Sequence, residues 1–244
     1  MIDTHCHILP HLDDGPSSWE ECLAMAQRAA EDGITKIIAT PHTRNGIYEN
    51  ESNQIMEKVN QLNQFLEENK ILLQIFPGCE IQLYDRILND LEQEGLNGLI
   101  TLNYSSRLLI ELPSNIKISR EIENCLFKIQ LKGFIPVIAH IERVYDFYHN
   151  SDILDRWIEQ GIETQLTSAS LNGIMGKKAH LFALRLLQRG LITYLVSDAH
   201  SNSKYGRKPI LSEGVRKITK VIGRQKALDL VITNPEKIMS NRED

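Results

Sequence analysis

The chain lacks any apolar run close to the ~20 residues that a membrane-spanning helix requires. Its aromatic content is only 6%, although hydrophobic residues make up 42% of the 244 positions. Residues 1–5 have neither the basic start nor the hydrophobic segment of a signal peptide. These absences predict a cytoplasmic protein with no direct membrane insertion.

An excess of positive charge is also missing. The sequence has 27 Lys and Arg residues against 32 Asp and Glu residues, which gives a net charge of −5. Proteins that bind nucleic acids or anionic lipid surfaces usually carry basic patches. The composition therefore argues against a nucleic-acid partner.

Paired cysteine spacings are absent as well. The four cysteines (Cys6, Cys22, Cys79 and Cys125) are scattered, which is typical of reduced thiols in a cytoplasmic protein. Cys22 and Arg28 match the Cys-x5-Arg signature of cysteine phosphatases. However, they fall in a predicted helix without glycine, where side chains six residues apart point ~120° away from each other. This match is interpreted as chance.

Seven short β-type runs alternate with helical segments along the chain. They are residues 1–8, 35–40, 72–79, 107–112, 135–140, 162–167 and 192–197. Such alternation predicts an α/β fold with a parallel sheet, either a barrel or a doubly wound open sheet. No glycine-rich phosphate loop follows the first run, and seven strands suit an irregular barrel better. With no linker or repeat, residues 1–244 are predicted to form one domain.

Metal-ligating residue types lie at or just after the ends of these runs. His5 and His7 alternate on the first strand and therefore share a face. In a barrel, the carboxyl ends of the strands converge on one rim, where active sites of this architecture lie. The residues that this rim would bring together are His5, His7, Asp14, His42, Glu80, Glu111, His140, Asp198 and His200.

Nine such ligands exceed the needs of one ion and fit two or three. Imidazole and carboxylate ligands suit manganese, iron or zinc, and the lack of thiolate ligands argues against a structural zinc site. Buried carboxylates without cations would be costly. A multinuclear site could supply hydroxide near neutral pH for an in-line displacement at phosphorus.

Two arginines follow the same strand ends. Arg143 lies three residues after His140, and Arg207 lies in the loop after His200. Guanidinium groups bind phosphate oxygens in pairs, so both are candidates for holding a phosphoryl group, although a surface salt bridge is the alternative for each. No role is assigned to the remaining histidines, which are His11, His149 and His180.

Several motifs occur in an order that resembles one known family. They are MIDTHCHILP at residues 1–10, DDGP at 13–16, ATPH at 39–42, PGCE at 77–80, HIER at 140–143 and SDAH at 197–200. This series resembles the polymerase and histidinol phosphatase (PHP) superfamily. More narrowly, it is similar to the bacterial manganese-dependent protein-tyrosine phosphatases of capsule and exopolysaccharide clusters, the CpsB/CapC type. Ile141 stands where many relatives have proline.

The resemblance implies a distorted TIM-like (β/α)7 barrel, the PHP fold, with up to three metal ions, most often Mn²⁺. It implies that His5, His7, Glu80 and Asp198 hold one ion and that Asp14, His42 and His200 hold another. Glu80, Glu111 and His140 would hold the remaining ion, and Arg143 and Arg207 would bind phosphate.

The function that the resemblance implies is hydrolysis of protein tyrosine phosphate by a metal-bound hydroxide, in capsule or exopolysaccharide regulation. The implied substrate is the phosphotyrosine tail of a membrane-associated tyrosine kinase. Three alternatives remain open at this point. They are a small-molecule phosphatase of the histidinol-phosphatase type, a nuclease or proofreading module, and an inactive metal-binding scaffold protein.

Overall fold

The computed structural model describes residues 1–83, 87–88, 91, 100–203 and 206–240. All seven predicted runs contain a strand, and each strand is shorter than the run that predicted it. The strands are β1 Ile2–Cys6, β2 Lys36–Ala39, β3 His42–Thr43, β4 Gln74–Pro77, β5 Glu80–Gln82, β6 Arg107–Glu111, β7 Ile135–Ile138, β8 Glu163–Thr167 and β9 Tyr194–Val196.

Two of these strands, β3 and β5, were not predicted. Each follows a longer strand after a break of two residues, β3 after β2 and β5 after β4. The breaks divide the hydrogen bonding into two parallel ladders, β1-β2-β4 and β3-β5-β6-β7-β8-β9. The sequence missed β3 and β5 because segments this short carry almost no period-two pattern.

The two ladders curl until the first and last strands meet. The backbone N–H of His7 donates to the Ala199 carbonyl at 2.8 Å, and the N–H of Asp198 donates to the His5 carbonyl at 2.9 Å. An open doubly wound sheet would leave these edges apart. The predicted α/β barrel, distorted by the two breaks, is therefore confirmed.

Helices cover the outside of the curled sheet. Within the described residues they are α1 Trp19–Glu31, α2 Ser52–Glu68, α3 Arg120–Leu131, α4 Asp152–Glu159, α5 Ser168–Leu171, α6 Lys177–Gln188, α7 Ser212–Ile222, α8 Arg224–Asp229 and α9 Thr233–Met239. None of them is long and apolar enough to cross a membrane.

The start and the buried face of helix α1 follow from its local sequence. The Ser18 hydroxyl accepts the backbone N–H of Glu21 at 3.2 Å, which satisfies one of the free donors at the helix start. Cys22, Met25 and Ala29 then recur at helical spacing and are fully buried against the sheet. The serine cap and the spacing of these apolar residues therefore set the start and the buried face of α1.

The break between β4 and β5 depends on a glycine. A Cβ atom at Gly78 would lie 2.8 Å from Ile38 Cγ2 and 3.2 Å from Leu102 Cδ2, so a larger residue would push the strands apart. This close approach fixes the chain just before Glu80, the first residue of β5.

Candidate metal centre

The carboxyl ends of the strands bring all nine predicted ligands to one rim. His5 belongs to β1, His42 begins β3, and Glu80 begins β5. His140 and Asp198 follow β7 and β9 with positive φ values of 31° and 49°. Such left-handed conformations are costly for residues other than glycine and concentrate at functional sites.

His5 and His7 point their Nε2 atoms at each other across 3.1 Å. Their Nδ1 atoms are already engaged, at 2.8 Å from Gln165 Oε1 and 2.6 Å from Asp13 Oδ2 respectively. Because those oxygens accept hydrogen bonds, each Nδ1 carries a proton, and Nε2 is the ring atom left to face an ion.

Glu80 lies at the centre of the cluster and is fully buried. Its Oε1 atom is 3.1 Å from His140 Nε2, and its Oε2 atom is 3.0 Å from His42 Nδ1. Oε2 is also 3.4 Å from the Nε2 atoms of both His5 and His7. Despite these neighbours, Oε2 has no hydrogen-bond partner within the described part of the chain. A buried carboxylate oxygen in that position fits a bridging metal ligand.

Asp14 contributes to the outer side of the cluster, with 54% of its side chain exposed. Its Oδ1 atom lies 3.3 Å from His200 Nε2 and 3.6 Å from His42 Nε2. The preceding Asp13 shapes this turn by accepting the N–H of Gly15 at 2.9 Å. A Cβ atom at Gly15 would lie 2.5 Å from the His7 carbonyl oxygen, so only glycine fits this turn.

The remaining two carboxylates, Glu111 and Asp198, lie beside histidines of the same cluster. Glu111 Oε1 lies 3.6 Å from His140 Nε2. Asp198 Oδ1 lies 3.5 Å from His5 Nε2 and 3.6 Å from His7 Nε2. Every residue in the predicted set therefore has a ligand atom within 4 Å of another member.

The electrostatics of the cluster require positive charge. Burial raises the pKa of Glu111, and the neighbouring Glu80 carboxylate raises it further. Burial also opposes the ionisation of Asp198, but His5 and Arg207 outweigh it and hold the pKa of Asp198 well below its usual range. Burial and Arg143 lower the pKa of His140 to about 4, so its ring is neutral at neutral pH and offers a lone pair.

The donor set fits divalent cations. Three groups of residues each have ligand atoms that lie within 4.8 Å of one another. His7, His42 and Glu80 each belong to two of these groups. The groups are His7, Asp14, His42 and His200; His5, His7 and Glu80; and His42, Glu80 and Glu111. Mixed imidazole and carboxylate donors grouped in this way suit manganese, iron or zinc.

Both predicted arginines reach this rim from different loops. Arg143 Nη1 lies 2.8 Å from Asp198 Oδ2, and Arg207 Nη1 lies 3.3 Å from the same oxygen. Arg207 also contacts the His200 ring at 2.8 Å. Two guanidinium groups therefore converge beside the predicted ligands.

The histidines left without a role lie outside the cluster. His180 Nδ1 is 3.2 Å from the Ser170 carbonyl, and His149 and His11 are exposed on loops. Cys22 is also excluded as a nucleophile, because burial raises its pKa to about 12 and its thiol donates to the Ile8 carbonyl. The interpretation of the Cys-x5-Arg match as chance is confirmed by this geometry.

Sequence reasoning missed two residues that orient ligands, Asp13 and Gln165. Both hold the Nδ1 atom of a proposed ligand, and Asp13 Oδ2 also accepts the His42 backbone N–H at 3.0 Å. A signal existed for each. Asp13 is the first residue of the DDGP motif, and Gln165 lies in the run at residues 162–167, which is unusually polar for a buried parallel strand.

Two further segments, residues 45–50 and 168–176, follow β3 and β8 at the same ends of the strands. The first lies against the rim, where the Tyr48 ring is parallel to the His42 ring and Asn50 donates to the His42 carbonyl at 2.7 Å. The second begins with α5, whose residues are all buried, so its first half offers no surface to a substrate.

Comparisons with known proteins agree with this geometry. The family model described as "Capsular polysaccharide synthesis, CpsB/CapC" matches residues 1–240. Tyrosine-protein phosphatase YwqE of Bacillus subtilis is 43% identical over 82% of this chain and 78% of its own length. Tyrosine-protein phosphatase CpsB of Streptococcus pneumoniae is 33% identical over 99% of both chains.

Solved structures add a comparison of the fold. A structure from a study of YwqE from Bacillus subtilis and CpsB from Streptococcus pneumoniae, described as unique metal-dependent tyrosine phosphatases, aligns with a TM-score of 0.91 and 38% identity. It covers 100% of this chain and 96% of that one. The phosphotriesterase homology protein of Escherichia coli aligns with a TM-score of 0.57 at 13% identity, over 97% of both chains, and shows a shared fold alone.

Proposed function

The chain belongs to the CpsB/CapC family of capsular polysaccharide synthesis proteins, and from this premise we propose that its nine-residue cluster holds the metal ions of a tyrosine-protein phosphatase. The observation that carries the proposal is the buried Glu80 carboxylate, surrounded by imidazole nitrogens with one oxygen lacking a donor. The proposed domain is the whole chain, residues 1–244.

Each ion site would use ligands that the fold brings together. His5, His7, Glu80 and Asp198 would hold one ion. Glu80, Glu111 and His140 would hold a second, and Asp14, His42 and His200 a third. We propose Mn²⁺ as the resident ion, with iron or zinc as the alternatives that the same donors accept. When bound, such ions would supply an activated water nucleophile and neutralise charge on the phosphoryl oxygens.

The chain's own residues would position the substrate. Arg143 and Arg207 are proposed to bind the non-bridging phosphoryl oxygens, because both guanidinium groups already converge on one carboxylate oxygen of Asp198. Asp13 and Gln165 would keep the His7 and His5 rings oriented, since each accepts the proton on Nδ1.

The acidity of the leaving group favours tyrosine phosphate as the substrate. A phenol has a pKa of about 10, far below that of an aliphatic hydroxyl, so phenolate departs with less help from a general acid. The most exposed carboxylate of the cluster, Asp14, is not suited to donate a proton, because its pKa is lowered, chiefly by a hydrogen bond with His200. This site is therefore better suited to phosphotyrosine than to phosphoserine.

The proposed substrate is the phosphotyrosine tail of a membrane-associated tyrosine kinase, which the enzyme would meet in the cytoplasm. The four cysteines support a reducing compartment, because all of them are free and three are buried. The family's role in capsular polysaccharide synthesis supports a regulatory function in capsule or exopolysaccharide production.

The test is a comparison of kcat/KM for three substrates with the same manganese loading. They are a phosphotyrosine peptide, the matching phosphoserine peptide and histidinol phosphate. We expect the phosphotyrosine peptide to be hydrolysed with the highest kcat/KM. The His140→Ala variant, which lacks one proposed metal ligand, measures the background rate of hydrolysis. A large preference for histidinol phosphate would refute the protein-phosphatase proposal while leaving the metal centre standing. No hydrolysis of any substrate by the metal-loaded protein would favour a scaffold.

A further inference from the structure

A groove of about 750 Å³ is lined by three chain segments, two of which follow strands that end at the candidate metal centre. The first follows β6, where Asn115 comes four residues after Glu111, and the second follows β7, where Tyr145 comes two residues after Arg143. The third is the start of α6 with the residues just before it. The Tyr145 N–H donates to the Ser114 carbonyl at 2.9 Å and joins the first two segments. We call this feature the basic groove.

The basic groove carries positive charge in a protein whose net charge is −5. Lys117, Lys177 and Lys178 line it, and all three are exposed. None of them forms an ion pair among the described residues. One carboxylate, Asp146, also lines the groove, but its Oδ2 atom accepts the Ile118 N–H at 3.0 Å, which points it toward the backbone.

Apolar surface accompanies the charge. Tyr145 is 57% exposed, and its ring lies 5.8 Å from the partly buried Tyr148 ring. Met175, which is partly buried, lines the same groove. Exposed aromatic and methionine side chains next to cations form a surface that contacts polypeptide side chains well. A small phosphate ester bound at the metal centre would leave this surface unused.

We propose that the basic groove binds the acidic polypeptide segment next to the phosphotyrosine of the substrate, and so selects phosphotyrosines with Asp or Glu nearby. This inference rests on the proposed phosphatase function. Arg143 and Tyr145 are two residues apart, so their Cα atoms lie within about 7 Å. An extended peptide advances ~3.3 Å per residue, so the groove would contact positions about two to five residues from the phosphotyrosine.

Charge complementarity favours an acidic peptide over a basic one in the basic groove. A basic peptide would face three unpaired ammonium groups, whereas carboxylates would approach them favourably and be steered toward a site that already binds an anion. Surface pairs of this kind are individually weak, so the effect requires several carboxylates and weakens at high salt.

The test uses two phosphotyrosine peptides that differ only in their flanking residues, Asp and Glu in one and Gln and Ser in the other. A small substrate, p-nitrophenyl phosphate, reports the metal centre alone. The variant is the double charge reversal Lys177→Glu/Lys178→Glu. Both positions lie in the first turn of α6, where glutamate is favourable to the helix, so the variant should fold.

We expect the wild-type enzyme to have about a fivefold to tenfold higher kcat/KM for the acidic peptide at low salt, mainly through KM. The double variant should lose this preference and hydrolyse p-nitrophenyl phosphate at the wild-type rate. The matched control is Lys220→Glu/Lys226→Glu, which reverses two exposed charges outside the basic groove and should keep the preference.

The outcomes separate this inference from the proposed function. Equal kcat/KM for the two peptides, or a preference that survives in Lys177→Glu/Lys178→Glu, would overturn the basic groove as a docking site. A loss of p-nitrophenyl phosphate hydrolysis in that variant would do the same, because the lysines would then act on the metal centre. Failure of the wild-type enzyme on both phosphotyrosine and p-nitrophenyl phosphate would instead refute the phosphatase proposal.

Discussion

Arg143 and Arg207 reach the same oxygen of Asp198 from two different loops, at 2.8 and 3.3 Å. Asp198 is also a proposed metal ligand, so in the loaded site its charge would be shared with a cation. The guanidinium groups could then bind a phosphoryl group instead. Phosphate binding and metal binding are therefore separate roles at neighbouring atoms, and single substitutions can distinguish them.

The substitution Arg143→Ala should remove a charge-assisted contact to the phosphoryl group and leave the bound metal in place. The expected loss is about 2–4 kcal/mol of transition-state stabilisation, or roughly 30- to 1000-fold in kcat/KM. His140→Ala is the matched comparison and should lower the metal content measured by elemental analysis. A metal content as low in Arg143→Ala as in His140→Ala would contradict the assigned role.

The substitution Asp13→Asn tests a residue that would act by orienting the His7 ring. The amide still fits the turn, but it no longer holds the His7 imidazole with a charged acceptor at 2.6 Å. Loss of such an outer partner typically lowers metal affinity or activity about 10- to 100-fold. We expect weaker Mn²⁺ binding by titration, with kcat largely restored at saturating Mn²⁺. An unchanged Mn²⁺ affinity would show that Asp13 is not a positioning residue.

Helices α1 and α7 are joined by a contact between residues that are distant in sequence. Helix α7 has no capping side chain of its own. The carboxylate of Asp32, at the end of α1, accepts the backbone N–H groups of Leu211 and Ser212 at 2.7 and 2.8 Å. It also accepts the Ser212 hydroxyl at 2.5 Å. One side chain therefore caps α7 from another helix.

Asp32→Ala should leave these donors unpaired and lower the free energy of unfolding by about 1–3 kcal/mol. For a chain of this length, each kcal/mol corresponds to a fall in Tm of about 2–4 °C. Thermal unfolding followed by circular dichroism measures the shift, and kcat should not change. Asp152→Ala, which removes a carboxylate with a 95% exposed side chain, is the control and should leave Tm nearly unchanged.

The proposed metal centre lies where the first and last strands of the curled sheet meet. Its buried carboxylates are close together, so removal of the proposed cations would leave charge that the low-dielectric interior accommodates poorly. Activity and stability should therefore depend on the same ions.

Removal of metal by a strong chelator should abolish hydrolysis, and added Mn²⁺ should restore it. Because the ions bind the folded state, the loaded protein should also be more stable, by about 2.7 kcal/mol at a free metal concentration 100 times Kd. Calorimetry with and without chelator measures this difference. A chelated protein that stays fully active would exclude the metal mechanism.

The thiol control for that experiment is Cys22→Ser. The Cys22 thiol is buried and donates to the Ile8 carbonyl, so the hydroxyl can replace it. We expect kcat within a few-fold of wild type. A folded, fully metallated Cys22→Ser enzyme without activity would show that the cysteine, and not the metal centre, performs the chemistry.

The candidate ligands could be predicted from the sequence, because parallel strands end at a common rim and six of the seven predicted runs end near a His, Asp or Glu. It also determined seven strands and the helices between them, because hydrophobic periodicity depends on neighbours along the chain. Residues such as His42 and Glu80 could therefore be identified without coordinates.

Features that depend on contacts between distant segments could not be predicted from the sequence. The break before β5 depends on how closely Gly78 approaches Ile38. The orientation of His5 depends on Gln165, 160 residues away, and the basic groove depends on three loops that meet in space. No local pattern encodes such distances, because they arise when the sheet curls and brings its first and last strands together.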